Sequence, residues 1–204
     1  MDLQKLSLGA NEIYQKLYNA LKNPDGSVHP QSLLCCAGSL AGYSCQYGIR
    51  QKYVVGEGLD EDKVFMIVMS KDGEKFYFGD LLNEPVVSAK YSVWALVGGA
   101  LQKIGSEMPD LNEIFQYVSM VCGSADFGKV RNCQTGENMK DYVKNLWNPM
   151  LNTAKKYGAD HEIHIIFGIV LQKIIMACSQ TVPAQKCAEI AMESVVSMSK
   201  YDLK

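Results

Sequence analysis

The stretch from His161 to Cys178 is apolar at nearly every position after Glu162, and it constrains the chain more than any other segment. Its exceptions, His161, His164, Gly168 and Gln172, recur at i, i+3, i+7 and i+11, which places them on one stripe of a helix. Ile163, Ile166, Phe167, Val170, Ile174 and Ala177 cover much of the remaining surface. A helix apolar over so much of its circumference is buried on several sides. Asp160 is the expected N-cap, and Glu162 suits the positive end of the helix dipole. A membrane span needs about 20 apolar residues with few charges. This run is shorter and carries His164, Gln172 and Lys173, so it reads as the central helix of a soluble domain.

The flanking segments supply neighbours for it. Ile13, Leu17, Ala20 and Leu21 share one face of a helix at 11–22, which the turn residues after Asn23 end. Pro30 opens a second helix. In it Cys35, Gly38, Gly42 and Cys45 make a face of small residues that lets another backbone approach closely. Interior glycines cost a helix about 1 kcal/mol each against alanine, so close packing is expected to offset them. Trp94, Val97, Leu101 and Ile104 mark a third helix over 91–104, in which Gly98 and Gly99 again imply a close contact. Asp110 caps a fourth, with Leu111, Ile114, Phe115, Val118, Val121 and Cys122 as its apolar stripe. A fifth runs over 137–157, with Pro149 expected to kink it near Asn145. The last begins after Thr181 and carries Ala184, Cys187, Ala188, Ala191, Val195 and Met198 on one face.

Between Tyr53 and Asp80 the period changes. Residues 63–70, apolar from Val64 to Met69, and residues 74–79 are β-branched and aromatic, and Asp72-Gly73 between them is a strong hairpin signal. The first run is apolar on both faces, so both are expected to be covered; Tyr53-Val54-Val55 reads as a third short strand. The expected fold is mainly α (α+β): about six helices around the buried helix at about 161–178, with one β-hairpin at about 63–79. No linker or repeat divides residues 1–204, which read as a single globular domain.

The 204 residues carry a net charge of −2, so nothing electrostatic points to nucleic acid or an anionic membrane. The beginning of the chain lacks the basic start and apolar run of a signal peptide. Seven cysteines, with no C-x-x-C and no zinc spacing, imply a reducing cytoplasmic compartment. Six of them lie in apolar helical contexts, and Cys133 lies in a polar loop.

That loop, residues 123–136, is the longest irregular stretch, and Asp126, Lys129, Arg131 and Cys133 are its ligand-binding candidates. Gly123–Val130 matches G-x-x-x-x-G-K, but Val130 stands where a phosphate loop needs Ser or Thr, and the match follows a helix rather than a strand. His161 and His164, three apart, can share a metal only with a further protein ligand, and His29 is the remaining histidine. Asp60-Glu61-Asp62 reads as a solvated acid cluster. Two functions follow. The first is a non-catalytic cytoplasmic binding or regulatory module, homo-oligomeric, with no cofactor, using the hairpin and the 123–136 loop toward a protein or small-molecule partner. The second is a metal-dependent small-molecule enzyme, hydrolase-like, with a divalent metal on His29, His161 and His164.

Overall fold

A computed structural model describes residues 1–131 and 136–203 and is mainly α-helical, with a single antiparallel hairpin among those residues. The long helices are α1 (Leu3–Ala20), α2 (Pro30–Ile49), α5 (Val93–Ile104), α6 (Leu111–Val121), α7 (Met139–Ala154), α8 (Ile163–Cys178) and α9 (Ala184–Ser199). Single turns α3 (Glu61–Val64) and α4 (Asp80–Asn83) flank strands β1 (Met66–Met69) and β2 (Lys75–Phe78).

Two helices share the centre. α8 is buried along most of its length, as its composition requires, but α2 is more deeply enclosed: only Pro30, Gln31, Tyr43 and Tyr47 reach solvent. Its small-residue face lies on α9. A Cβ added at Gly38 would stand 2.6 Å from the Ala191 carbonyl oxygen, and one at Gly42 would stand 2.1 Å from that of Val195. The two helices therefore run in the same direction with backbones in contact. Gln46 Nε2 closes the far end by donating to the carbonyls of Ser199 and Tyr201 at 3.0 and 3.1 Å. Trp147 of α7 joins the layers, edge-on to Tyr43 and Tyr47 and stacked at 6.0 Å on Phe167 of α8.

The second close contact is between α5 and α8. Leu96 fills the space that a side chain at Gly168 would need, and Gln172 Nε2 donates to the Leu96 carbonyl at 2.7 Å beside Gly99. That contact turns the buried face of α5 to Val93, Val97, Ala100 and Leu101, so Ile104 is on the rim rather than inside.

Several expectations change. α1 begins eight residues before the expected start at residue 11, because Asp2 caps it by accepting from the Gln4 and Lys5 amides. Its interior Gly9 fits against the Tyr157 ring, which a Cβ would strike at 2.8 Å. Asp160 is not the cap of α8. It lies in a 3-10 turn (Asp160–Glu162), accepts from Tyr47 Oη and pairs with Lys155, while Glu162 accepts from the Ala159 amide. Tyr53-Val54-Val55 is not a strand: α2 runs on into a π-helical segment, Arg50–Gly56. A second π-helical segment, Glu84–Ser88, precedes α5. Glu61 is not simply solvated, since it pairs with Arg50 and accepts from Tyr77 Oη at 3.2 Å.

β1 is the largest correction. It is not covered on both faces: Met66, Val68 and Met69 are 62, 43 and 54 % exposed. β2 is buried instead, with Phe76 edge-on to Phe127 at 4.8 Å and Tyr77 edge-on to Phe65. The Tyr77 amide donates to the Lys200 carbonyl, so the chain end after α9 takes β2's second edge and leaves β1 outermost.

That chain end buries a charge. Lys200 is 3 % exposed, with its ammonium 4.4 Å from the Phe78 ring and 5.6 Å from that of Phe115. Burial pulls its pKa down to about 8. Holding the charged form at pH 7 costs about 3 kcal/mol by that shift, and each ring returns about 1 kcal/mol. The penalty is complete below the folded pKa and is relieved as pH rises toward the unfolded value near 10.4. Lys200→Met is therefore expected to stabilise the protein by about 1–2 kcal/mol at pH 7, with the gain fading as pH rises above about 8 and lost near pH 10.4. Thermal unfolding of both proteins across that pH range checks it.

Candidate functional site

The polar stripe of α8 meets two surroundings. At Gly168 and Gln172 it is sealed by α5. At His161 and His164 the covering chain is the π-helical segment Glu84–Ser88, which seals it less completely. The result is a cleft of about 140 Å³ lined by Cys45, Gly48, Ile49, Lys52, Glu84, Pro85, Ala89, His161 and His164. Cys45, Ile49 and Pro85 are buried and form its floor; Lys52, Glu84, Ala89 and His161 are exposed at the rim.

Cys45, Gly48, Ile49 and Lys52 are spaced i, i+3, i+4 and i+7, one face of α2 and its π-helical continuation. Gly48 permits the close approach of the chain before α8: an added Cβ would lie 3.3 Å from the Asp160 carbonyl oxygen. Lys52 and Glu84 come from the two π-helical segments. The second is closed by the Ala89 amide donating to the Glu84 carbonyl at 2.9 Å, five residues back. π-Helices are rare and concentrate at functional sites.

The electrostatics of the cleft divide by depth. His164 is half-buried, and burial lowers its pKa to about 4; a backbone hydrogen bond to His161 and the charge of Glu162 work against this. Its imidazole is neutral at pH 7. A neutral imidazole carries one donor and one acceptor nitrogen. The Cys45 thiol on the floor is raised by burial and stays protonated, so it is no nucleophile. Lys52 is raised, first by its hydrogen bond with Tyr53 Oη at 2.9 Å and, to a lesser degree, by Glu57 and Glu84.

His29 is not part of this cleft. It precedes α2 at Pro30, whereas the other two histidines stand beside Gly48, roughly 28 Å away at 1.5 Å of rise per residue. Its Nδ1 is 3.4 Å from Ser32 Oγ, which donates to Glu137. Among the described residues no three His, Cys, Asp or Glu side chains gather in a way that could hold a metal. The three histidines do not make one site.

The loop candidates are placed as follows. Lys129 Nζ lies 3.0 Å from Asp126 on the surface. Arg131 turns inward: its amide and Nε both donate to Glu193, which is fully buried on α9, and its guanidinium covers the Tyr117 ring at 4.6 Å. Cys133 lies outside the described residues. The G-x-x-x-x-G-K match is a string of turns after α6, with Phe127 in the core under β2. Gly123 and Ser70 are neighbours, so the start of the loop lies beside the hairpin.

Nothing in the sequence announced Glu84; for Lys52 a usable signal was the continuation of the small-residue stripe Cys35–Gly38–Gly42–Cys45 to Ile49 and Lys52. No known protein family, no curated protein and no solved structure matches the chain. The segment Asp160–Cys178 is long and apolar enough to cross a bilayer by length and composition, and most of it is packed inside the protein, as the core helix of a soluble protein is.

Proposed function

We propose that the chain is a non-catalytic cytoplasmic binding module that works as a homodimer, joined by antiparallel pairing of β1 with β1 of a second copy. The observation that carries the reading is the open edge of β1. The Ser70 amide donates to the Glu74 carbonyl, and the register pairs Val68 with Phe76 and Met66 with Phe78. Backbone groups of Met66, Val68 and Ser70 therefore point to β2, and those of Ile67 and Met69 point outward.

Protein edges of this kind are commonly blunted by charge, proline or a bulge. Met66-Ile67-Val68-Met69 has none of these, and its side chains are apolar and partly exposed. A two-fold axis at Val68 sets Ile67 of one copy against Met69 of the other and satisfies both outward residues. Cys36, Cys45, Cys122, Cys178 and Cys187 are thiols rather than disulfides, which supports a reducing compartment.

Val68→Lys places two ammonium groups against each other at that axis. Light scattering is expected to give a dimer for the parent at micromolar concentration and a monomer for Val68→Lys, with unchanged circular dichroism. A monomeric parent removes the proposal.

A further inference from the structure

The cleft between α2, the Glu84–Ser88 segment and the start of α8 shares no lining residue with the strand edge. We infer that it binds a small zwitterion with a short aliphatic side chain, a neutral α-amino acid, between Lys52 and Glu84.

Three observations support this class. First, Lys52 and Glu84 line the same rim with opposite charges and are not paired with each other; the Lys52 ammonium is steadied on Tyr53, donating to its Oη at 2.9 Å and lying 4.5 Å from its ring. A group placed between them meets an ammonium on one side and a carboxylate on the other. A monoanion would face Glu84 and a monocation would face Lys52, each at a cost; a zwitterion satisfies both. Second, the half-buried His164 lines the cleft, and its neutral imidazole presents polar nitrogens to a ligand without adding a charge. Third, the floor of Cys45, Ile49 and Pro85 is apolar and the space is about 140 Å³, which limits the ligand to a few heavy atoms and rewards a short alkyl group.

The backbone marks the same place as a site, apart from the charges. Both rim residues sit on π-helical segments, and two such segments converge here from parts of the chain more than thirty residues apart in sequence, roughly the length of a βαβ unit. Each widens its helix by one residue per turn and aims a side chain that a regular α-helix would carry elsewhere.

Thermal unfolding and titration calorimetry of the full chain with L-alanine and L-valine test the inference, with propionate and isobutylamine as the matching half-molecules. Saturable stabilisation by an amino acid is expected, with neither half-molecule reproducing it. Lys52→Gln and Glu84→Gln should each weaken that binding by about tenfold, or 1.4 kcal/mol, with circular dichroism and dimer mass unchanged. No saturable binding of either amino acid at millimolar concentration overturns the inference. So does propionate or isobutylamine binding as well as L-alanine, and so does binding that survives both substitutions. Because the dimer mass is read separately, failure here and failure of strand pairing are distinguishable.

Discussion

Gly42→Ala is expected to cost the protein 3 kcal/mol or more, roughly the upper end for forcing extra volume into a packed interior. On an isolated helix the same change would help by about 1 kcal/mol, since alanine is the better helix former. Its sign therefore reports the contact with α9. The added Cβ would meet the Val195 carbonyl oxygen at 2.1 Å, its carbon at 2.8 Å and the Ser199 amide nitrogen at 2.9 Å. All three are backbone atoms, so no side chain can rotate away, and α2 and α9 must separate along their length. Separation would also pull Gln46 from the carbonyls of Ser199 and Tyr201. Gly98→Ala is the control. Its Cβ would meet only Met108, at 3.6 Å from the sulfur and 3.9 Å from the terminal methyl, which is ordinary contact with a flexible side chain. That variant is expected to be neutral or stabilised by up to about 1 kcal/mol. Urea denaturation of the three proteins decides it; equal stability of Gly42→Ala and its parent would mean that α2 and α9 do not touch at backbone distance.

The glycines of α2 were legible because small residues at helical spacing have one physical reading, a close neighbour. Which neighbour was not legible: the small face of the last helix and the tail of Gly98-Gly99 were equally available partners. Helix boundaries followed capping chemistry where it was local, as at Asp110, whose carboxylate accepts from the Asn112 and Glu113 amides. They were lost where a glycine interrupted the pattern, as at Gly9, whose reason is the distant Tyr157 ring. Tyr53-Val54-Val55 has β-type composition, yet the chain continues as a helix because α2 is already nucleated and its next turns extend it at little further cost in order. β1 was misread for a related reason. An apolar run without alternation looks covered on both faces, and an edge that awaits a partner strand has the same sequence.

The histidines mark the limit of spacing arguments. His161 and His164 were placed correctly on one helix face, because that relation is local. His29 was grouped with them because it precedes the small-residue helix and could have met them at one end of a bundle; the length of α2 keeps it apart. The cleft draws on three segments, 45–52, 84–89 and 161–164, and no local pattern links Glu84 to Lys52. Arg131 shows the converse. As a charged residue in a long loop it read as a ligand contact, and its guanidinium instead serves a carboxylate more than sixty positions away, which no periodicity could connect to it.

Arg131→Ala is accordingly expected to be the most damaging single change outside the glycine contact. Glu193 is fully buried and accepts from both the Arg131 amide, at 2.9 Å, and its Nε. Burial raises its pKa, and the two bonds and the charge of Arg131 restrain that rise. Without the guanidinium the carboxylate is left charged in the core or must take up a proton, and breaking a buried pair from one side costs about 3–5 kcal/mol. The backbone amide survives the substitution, so the lower end, about 3 kcal/mol, is expected at pH 7. The pH dependence follows from the sign. A carboxyl whose folded pKa lies above its unfolded value favours folding when protonated; that contribution is complete below the unfolded pKa and is lost as pH rises through the folded one. The deficit of Arg131→Ala should therefore shrink as pH falls from 7 toward 4.5, the ordinary value for a glutamate. Adding Glu193→Gln removes the charge and keeps an acceptor for the Arg131 amide. The double variant should regain about half of the loss at pH 7 and lose its pH dependence. Urea titrations at pH 5 and pH 7 read both effects, and a double variant less stable than Arg131→Ala alone would mean that the buried charge is not the source of the cost.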